Sequence, residues 1–113
     1  MEKTIEKEYN LIITIVDRGY ADIVIEAAKS SGAKGSTVIF ARGTGVESSD
    51  DFLKIPIRPE KEVVLTFVTK ETAKEIVTAI TAKAGLSKEA RGISYTLPVT
   101  KMANAEDVVK SEK

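Results

Sequence analysis

The stretch Leu11-Ile12-Ile13-Thr14-Ile15-Val16 decides the fold, because its pattern returns 52 residues later as Val63-Val64-Leu65-Thr66-Phe67-Val68. Both runs have the length of a β-strand and are apolar at nearly every position, which is typical of central strands. Each run leads into a helix-like segment, then to a glycine, then to a second run with strand character. The chain therefore contains a strand–helix–strand unit twice.

The segments between the strand-like runs have the periodicity of amphipathic helices. The first apolar stripe is formed by Val24, Ala27 and Ala28, with Ile23 and Ser31 beside them. The second is formed by Ala73, Ile76, Val77, Ile80 and Ala84, with Thr69 as the expected N-cap. Gly32 and Gly85 are expected to end these helices, Gly32 in the left-handed conformation.

The remaining strands complete the fold prediction. Ser36–Ala41 and Gly92–Val99 are predicted strands, and Pro98 restricts the latter to a sheet edge or a strand end. The pattern predicts an α+β, ferredoxin-like βαββαβ sandwich, with a four-stranded antiparallel sheet and two helices on one face. We expect this single domain to cover residues 1–102, and residues 103–113 to form a mobile tail. The other sheet face would be bare and apolar, which normally means association, usually with closed cyclic symmetry.

A long loop over residues 43–60 separates the two halves, where this fold usually has only a hairpin turn. Gly43-Thr44-Gly45 opens the loop and can form an anion-binding nest, although flexible glycines at a loop entry are an alternative. The acidic residues Glu47, Asp50 and Asp51 are better interpreted as a solvated stretch than as a Mg²⁺ site. The apolar residues Phe52, Leu53, Ile55 and Ile57 either insert into a partner or fold back onto their own assembly.

The composition excludes several classes of function. The 113 residues include 17 basic and 17 acidic side chains, so no net charge attracts nucleic acid or anionic lipid. Without Cys or His there are no disulfides, no Cys/His metal sites and no histidine acid–base catalysis. No apolar run approaches the roughly 18 residues of a membrane span. The sequence therefore favours a cytoplasmic protein that is not an enzyme and does not insert into membranes.

In its spacing, the chain resembles the PII nitrogen-regulatory signalling proteins over roughly residues 9–102. The resemblance rests on Gly32-Ala33-Lys34-Gly35-Ser36-Thr37, on Arg42-Gly43-Thr44-Gly45, on Pro59-Glu60-Lys61 and on Arg91-Gly92-Ile93. It implies a homotrimer that binds ATP or ADP in clefts between subunits. It also implies that the 43–60 loop engages a partner protein such as a membrane transporter or a metabolic enzyme.

The resemblance also implies roles for particular residues. Thr37, Gly43, Thr44 and Gly45 would form the loop base beside the nucleotide. Lys61 would contact phosphate, Phe67 would line the adenine, and Ala90, Arg91 and Gly92 would fall on the phosphate loop. From its residue type alone, Arg42 either binds phosphate as well or pairs with an acidic residue across the sheet.

Three departures from the family pattern matter. The phosphate loop Ala90-Arg91-Gly92-Ile93 lacks one glycine and the lysine of the family, and Thr100–Glu106 offers Lys101 instead of two arginines. The loop is about five residues shorter and has no tyrosine for nucleotidylation. An adenine nucleotide other than ATP, such as ADP or AMP, is therefore an equal candidate, with or without Mg²⁺. The alternatives are a trimeric scaffold with a degenerate nucleotide site and a dimeric amino-acid-binding domain of similar topology.

Overall fold

The computed structural model describes residues 8–43, 51–52, 55–56, 60–86, 88 and 92–103. In chain order the elements are β1 (Tyr9–Asp17), α1 (Ala21–Ser30), β2 (Gly35–Arg42), β3 (Asp51–Phe52), β4 (Ile55–Pro56), β5 (Glu60–Thr69), α2 (Lys70–Ala84) and β6 (Ile93–Val99). The expected tail beyond residue 103 lies outside the described residues, so its mobility stays a prediction.

The main sheet has four strands in the order β2-β5-β1-β6, and every neighbouring pair is antiparallel. Both helices pack against each other and against one face of this sheet. This is the predicted ferredoxin-like α+β sandwich, so the fold prediction is confirmed. The strand β6 is an edge strand, as Pro98 required.

The two central strands alternate between the two faces of the sheet. We call the helix-covered face the inner face and the opposite one the outer face. The inner face and the helices together form the core, whose largest fully buried apolar side chains are Ile12, Val16, Val24, Val64, Ile76 and Ile80. Burying these branched side chains in a close-packed interior is the main stabilising contribution.

The inner face also carries hydroxyl groups. Thr14 and Thr66 are fully buried. The Thr14 hydroxyl lies 2.9 Å from that of Ser94 on β6, and the Thr66 hydroxyl lies 3.2 Å from that of Ser36 on β2. Each pair connects a central strand to an edge strand, so the buried hydroxyls have hydrogen-bond partners as burial requires.

The outer face is apolar and has no cover among the described residues. Its side chains on the edge strands remain about half exposed: Ile39 on β2, and Ile93, Tyr95 and Leu97 on β6. Between them lie Leu11, Ile13 and Ile15 of β1 and Val63 and Leu65 of β5, all partly buried. The predicted bare apolar face is therefore present.

The helix ends follow the predicted glycines. At the end of α1, Gly32 has φ +106°, and the N–H groups of Gly32 and Ala33 donate to the carbonyls of Lys29 and Ala28. These are the two hydrogen bonds of a Schellman motif. Gly85 ends α2 with φ +62°. Ile23, which lies beside the apolar stripe of α1, is 39% exposed.

The loop predicted at 43–60 begins after Arg42, the last residue of β2, but Glu60 already belongs to β5, so the loop ends one residue earlier than expected. It contains one feature that the sequence pattern did not predict: the short strands β3 and β4 pair with each other in an antiparallel arrangement. Leu53 and Ile57 lie outside the described residues. The choice between partner binding and folding back therefore stays open.

Candidate functional site

The strand register gathers part of the predicted site at one end of the sheet, which we call the loop end. Ala41 pairs with Lys61, Lys61 pairs with Asp17, and Ile15 pairs with Ile93. Gly43 follows β2 and Gly92 precedes β6 at this same end. The fold thus brings Gly43, Lys61 and Gly92 to a common edge of the molecule.

Two other predicted residues lie further along the sheet. Phe67 is six residues beyond Lys61 on β5, roughly 20 Å away at the usual rise of a strand. Its ring stacks on Tyr9, with centroids 4.8 Å apart and an interplanar angle of 23°. Thr37 is exposed on the outer face of β2, opposite Leu65. A single chain therefore does not bring Thr37 and Phe67 together with Lys61.

Four predicted residues, Thr44, Gly45, Ala90 and Arg91, lie outside the described residues. Their assignment to the loop base and to the phosphate loop stays a prediction.

A cavity of about 410 Å³ opens at the loop end. Its lining comes from the β1–α1 turn, the end of β2 and the start of β5: Arg18, Phe40, Ala41, Arg42, Glu60 and Lys61. We call it the loop-end cavity. It combines three cationic side chains with one carboxylate and an exposed aromatic ring, so it can hold an anion that carries an apolar group.

Glu60 lies between two of these cations. Its carboxylate forms a salt bridge with the guanidinium of Arg18, and its Oε1 lies 3.9 Å from Nη2 of Arg42. Glu60 and Arg42 are cross-strand neighbours, so Arg42 lies beside an acidic residue across the sheet, which is one of the two roles expected for it. All three side chains are largely exposed, and such ion pairs stabilise a fold by only about 0–1 kcal/mol.

Lys61 is paired much more tightly. Its Nζ lies 2.6 Å from Oδ1 of Asp17, and the two side chains are only 11% and 18% exposed. An ion pair removed from water in this way is costly to break, because each charge would lose its partner while still buried. The lysine that the family resemblance assigned to a phosphate is therefore held by Asp17.

Glu62, the residue after Lys61 on β5, makes a contact that no sequence motif indicated. Its Oε1 accepts hydrogen bonds from the backbone N–H groups of Gly19, at 3.0 Å, and Ala21, at 2.9 Å. Since Tyr20 at the N-cap of α1 makes no capping bond with its side chain, Glu62 supplies the acceptor and the negative charge that a helix N-terminus favours. Glu60, Lys61 and Glu62 thus all contact the segment from Asp17 to Ala21.

The two described glycines of the predicted site have different environments. A Cβ on Gly92 would lie 2.6 Å from the carbonyl oxygen of Ile15, and its N–H donates to the Leu86 carbonyl at 2.7 Å. Gly92 is thus required by packing, and its N–H already has a partner. A Cβ on Gly43 would have no atom of the described residues within 4 Å, and φ is not left-handed there. In the part of the chain that the structure describes, neither packing nor a turn requires glycine at position 43.

A second cavity, of about 450 Å³, lies at the opposite end of the sheet. It is lined by Glu8, Tyr9 and Asn10, by Lys70, and by residues 98–102, which include Lys101. Nζ of Lys70 lies 2.9 Å from the Glu8 carboxylate, and this hydrogen bond, together with the charge of Glu8, raises the pKa of Lys70. The cation that replaces the family's arginines therefore lies away from the loop-end cavity of its own chain.

Within the described ranges, no three acidic side chains come together as a metal site. No helix in the same ranges is long and apolar enough to cross a membrane.

Solved structures with the same fold include a PII protein and a PII-like protein. The Arabidopsis thaliana PII protein bound to citrate is 22% identical, with a TM-score of 0.63 over 82% of this chain and 78% of its own. A Thermus thermophilus protein described as a PII-like signalling protein is also 22% identical, with a TM-score of 0.60 over 89% of this chain and 95% of its own.

A Bacillus cereus protein related to NIF3 superposes with a TM-score of 0.67 at 17% identity. The match covers 87% of this chain but only 27% of that longer protein. At these identities the structural matches establish the fold alone. No curated protein sequence matches the chain.

The family model of the nitrogen regulatory protein P-II matches residues 9–107, which is most of the chain. The match includes both strand–helix–strand units, the loop between them and the loop-end cavity. The chain therefore belongs to the nitrogen regulatory protein P-II family.

Proposed function

We propose that this protein is a homotrimeric PII-like regulator that binds an adenine nucleotide and signals through its 43–60 loop to a partner protein. The observation that carries the proposal is the loop-end cavity, where three cations line a space at the base of that loop in a P-II family chain. The partner would be a membrane transporter or a metabolic enzyme, and the protein would act in the cytoplasm without catalysing a reaction.

The outer face supports the trimer. It presents a continuous apolar surface across all four strands, with Ile39 at one edge and Ile93, Tyr95 and Leu97 at the other. Such a surface is unfavourable in water and is normally covered by another chain. In a trimer with closed cyclic symmetry, the outer face would be covered in the same way on every subunit.

The separation of the site residues supports a cleft between subunits. Because Phe67 lies roughly 20 Å along β5 from Lys61, one chain alone cannot place both against the same nucleotide. Two neighbouring chains can, with Phe67 contributed by one and the loop-end cavity by the other. Thr37, Gly43, Thr44, Gly45, Ala90, Arg91 and Gly92 keep their proposed places around this cleft.

A regulator also needs two conformations of its loop that bind the ligand with different affinities. The nucleotide, ADP, ATP or AMP with or without Mg²⁺, must bind one loop conformation more tightly than another, since otherwise it shifts no equilibrium. The position of the loop-end cavity against Arg42 and Glu60, the residues that flank the loop, supports this coupling.

A specific observation favours the second candidate, a trimeric scaffold whose nucleotide site is degenerate. Each cation lining the loop-end cavity already has a carboxylate neighbour: Glu60 for Arg18 and Arg42, and Asp17 for Lys61. If these ion pairs persist, the cavity carries little net positive charge with which to bind a nucleotide. The protein then acts only as a trimeric scaffold.

Calorimetric titration with ATP, ADP and AMP, with and without Mg²⁺, separates the two candidates. The regulator predicts saturable binding of about one nucleotide per chain, since the sites of a symmetric trimer are equivalent. It also predicts that the nucleotide raises the melting temperature less in Lys61→Ala than in the wild type. The exposed Lys83 on α2 provides the control, Lys83→Ala.

Absence of binding by any of these nucleotides in a folded trimer would favour the scaffold. Equal shifts in Lys61→Ala and the wild type would remove Lys61 from the site. A trimeric mass by light scattering would exclude the dimeric amino-acid-binding domain.

A further inference from the structure

The three cations of the loop-end cavity differ in how firmly their partners hold them. Lys61 and Asp17 form a close pair that is almost out of contact with water. The side chains of Arg18 and Arg42 are 68% and 72% exposed, and their shared partner Glu60 is 44% exposed. A ligand can therefore compete for the two arginines far more easily than for the lysine.

We infer that Arg18 and Arg42 form the phosphate-binding pair of this cavity, and that Glu60 is a built-in competitor that occupies the pair when no ligand is bound. The inference rests on the proposed function insofar as the nucleotide supplies the phosphate. It assigns binding to Arg18, a residue that no motif in the sequence indicated, and it makes Lys61, which Asp17 holds, the weakest phosphate contact of the three cations.

The geometry around Glu60 leaves part of the arginine pair unsatisfied. One carboxylate is shared by two guanidinium groups, and the Arg42 contact of 3.9 Å is longer than a hydrogen bond. A guanidinium has five N–H donors and stays charged at any physiological pH. A phosphate group offers three acceptor oxygens and nearly twice the charge of a carboxylate, so it can bridge both arginines better than Glu60 does.

Phe40 defines the ligand class further. It is 77% exposed, and it lies two residues before Arg42, so both side chains project from the same face of β2 into the cavity lining. An exposed phenyl ring beside a phosphate-binding pair fits a phosphate ester with a flat ring system, on which the base can stack. Inorganic phosphates would contact the two arginines but would not stack on the ring of Phe40.

The decisive experiment compares Glu60→Gln with wild-type protein, using pyrophosphate and ADP as ligands in separate calorimetric titrations. Removing the competing charge should tighten pyrophosphate binding roughly fivefold, the effect of one favourable exposed ion pair. The control Glu75→Gln makes the same charge change on the exposed side of α2 and should leave binding unchanged. A matching melting temperature shows that each variant is folded.

The arginines are tested by Arg18→Gln and Arg42→Gln, with Lys83→Gln as the control of equal charge. Each arginine variant should weaken pyrophosphate binding both in the wild type and in the Glu60→Gln background. Phe40→Ala should weaken ADP binding and leave pyrophosphate binding unchanged, because the ring contacts only the base.

The outcomes separate this inference from the proposed function. If Glu60→Gln binds pyrophosphate no better than Glu75→Gln, or if neither binds it, the inference is overturned. If the substitutions of Glu60, Arg18 and Arg42 leave ADP binding unchanged, the protein is still a nucleotide regulator, but the phosphate of ADP binds elsewhere. If pyrophosphate binds more tightly to Glu60→Gln and more weakly to the arginine variants, but ADP does not bind, the result supports the arginine pair and contradicts the nucleotide regulator.

Discussion

The two faces of the sheet differ in their exposure to solvent, and on each face some side chains have the opposite polarity to the one that this exposure would suggest. The inner face lies beneath both helices, yet it buries the hydroxyls of Thr14 and Thr66 completely. The outer face has no cover among the described residues, yet its strands carry Ile, Leu, Val and Tyr side chains. The apolar character of a strand position therefore does not show which face the chain itself covers, and the outer face is the one that we expect a second copy to cover.

The largest expected effect comes from breaking the outer face. Tyr95→Glu places a carboxylate on the β6 edge of this apolar surface, and burying it in an assembly would cost several kcal/mol per chain. We expect the apparent mass in light scattering to fall to that of a single chain. Thr96→Glu is the matched control, because Thr96 is the next residue of β6, is exposed and points to the opposite face.

Retention of the full oligomeric mass by Tyr95→Glu would show that the outer face is not the interface. Loss of the oligomer in both variants would instead indicate a general effect on β6.

The next largest effect is expected for a substitution in the core beneath the inner face, where it should lower the free energy of unfolding. Ile80 is fully buried on α2, and Ile80→Ala should lower the free energy of unfolding by about 2–5 kcal/mol, through lost transfer energy and the cavity that remains. Urea denaturation at fixed protein concentration measures this change. The same substitution at the exposed Ile23 on α1 is the control and should cost much less. Equal losses at the two positions would contradict the assignment of the core.

The smallest effect concerns the hydroxyl pairs of the inner face. Thr14→Val keeps the shape of the side chain but removes the hydrogen bond to Ser94, and should lower the free energy of unfolding by about 1 kcal/mol. Adding Ser94→Ala should recover part of that loss, since no hydroxyl is then left without its partner. A double-mutant cycle measures the coupling. Additive effects would mean that the 2.9 Å contact contributes no stability.

The fold was predictable because its signals are local. Continuous apolar runs marked β1 and β5, helical stripes marked α1 and α2, and Gly32 and Gly85 marked the helix ends. The strands extend beyond the apolar runs, to Asp17 and from Glu60, because backbone pairing continues past the last apolar side chain. The sequence did not fix the exposure of Ile23, because this residue borders the stripe, where periodicity alone does not indicate burial.

The strand ends at which three predicted site residues lie were predictable, but the ion pairs of these strand ends were not. Gly43, Lys61 and Gly92 lie at the same end of the sheet, since strand direction and register fix which strand ends share an edge. The ion pairs of Lys61 with Asp17 and of Glu60 with Arg18 join residues 44 and 42 positions apart. Those pairings depend on the register between β1 and β5, and a one-residue slip would place every side chain on the other face. No local pattern contains that information.

The contact between Glu62 and the start of α1 also links helix formation to sheet formation. The carboxylate comes from a residue 41 positions away from Ala21, so the first turn of α1 has its acceptor only after β5 has paired with β1. Contacts between such distant residues form late when a chain folds, because a long loop must close first. In native-state hydrogen exchange, the amide protons of Gly19 and Ala21 should therefore exchange together with those of the central strands, rather than with the frayed ends of the helices.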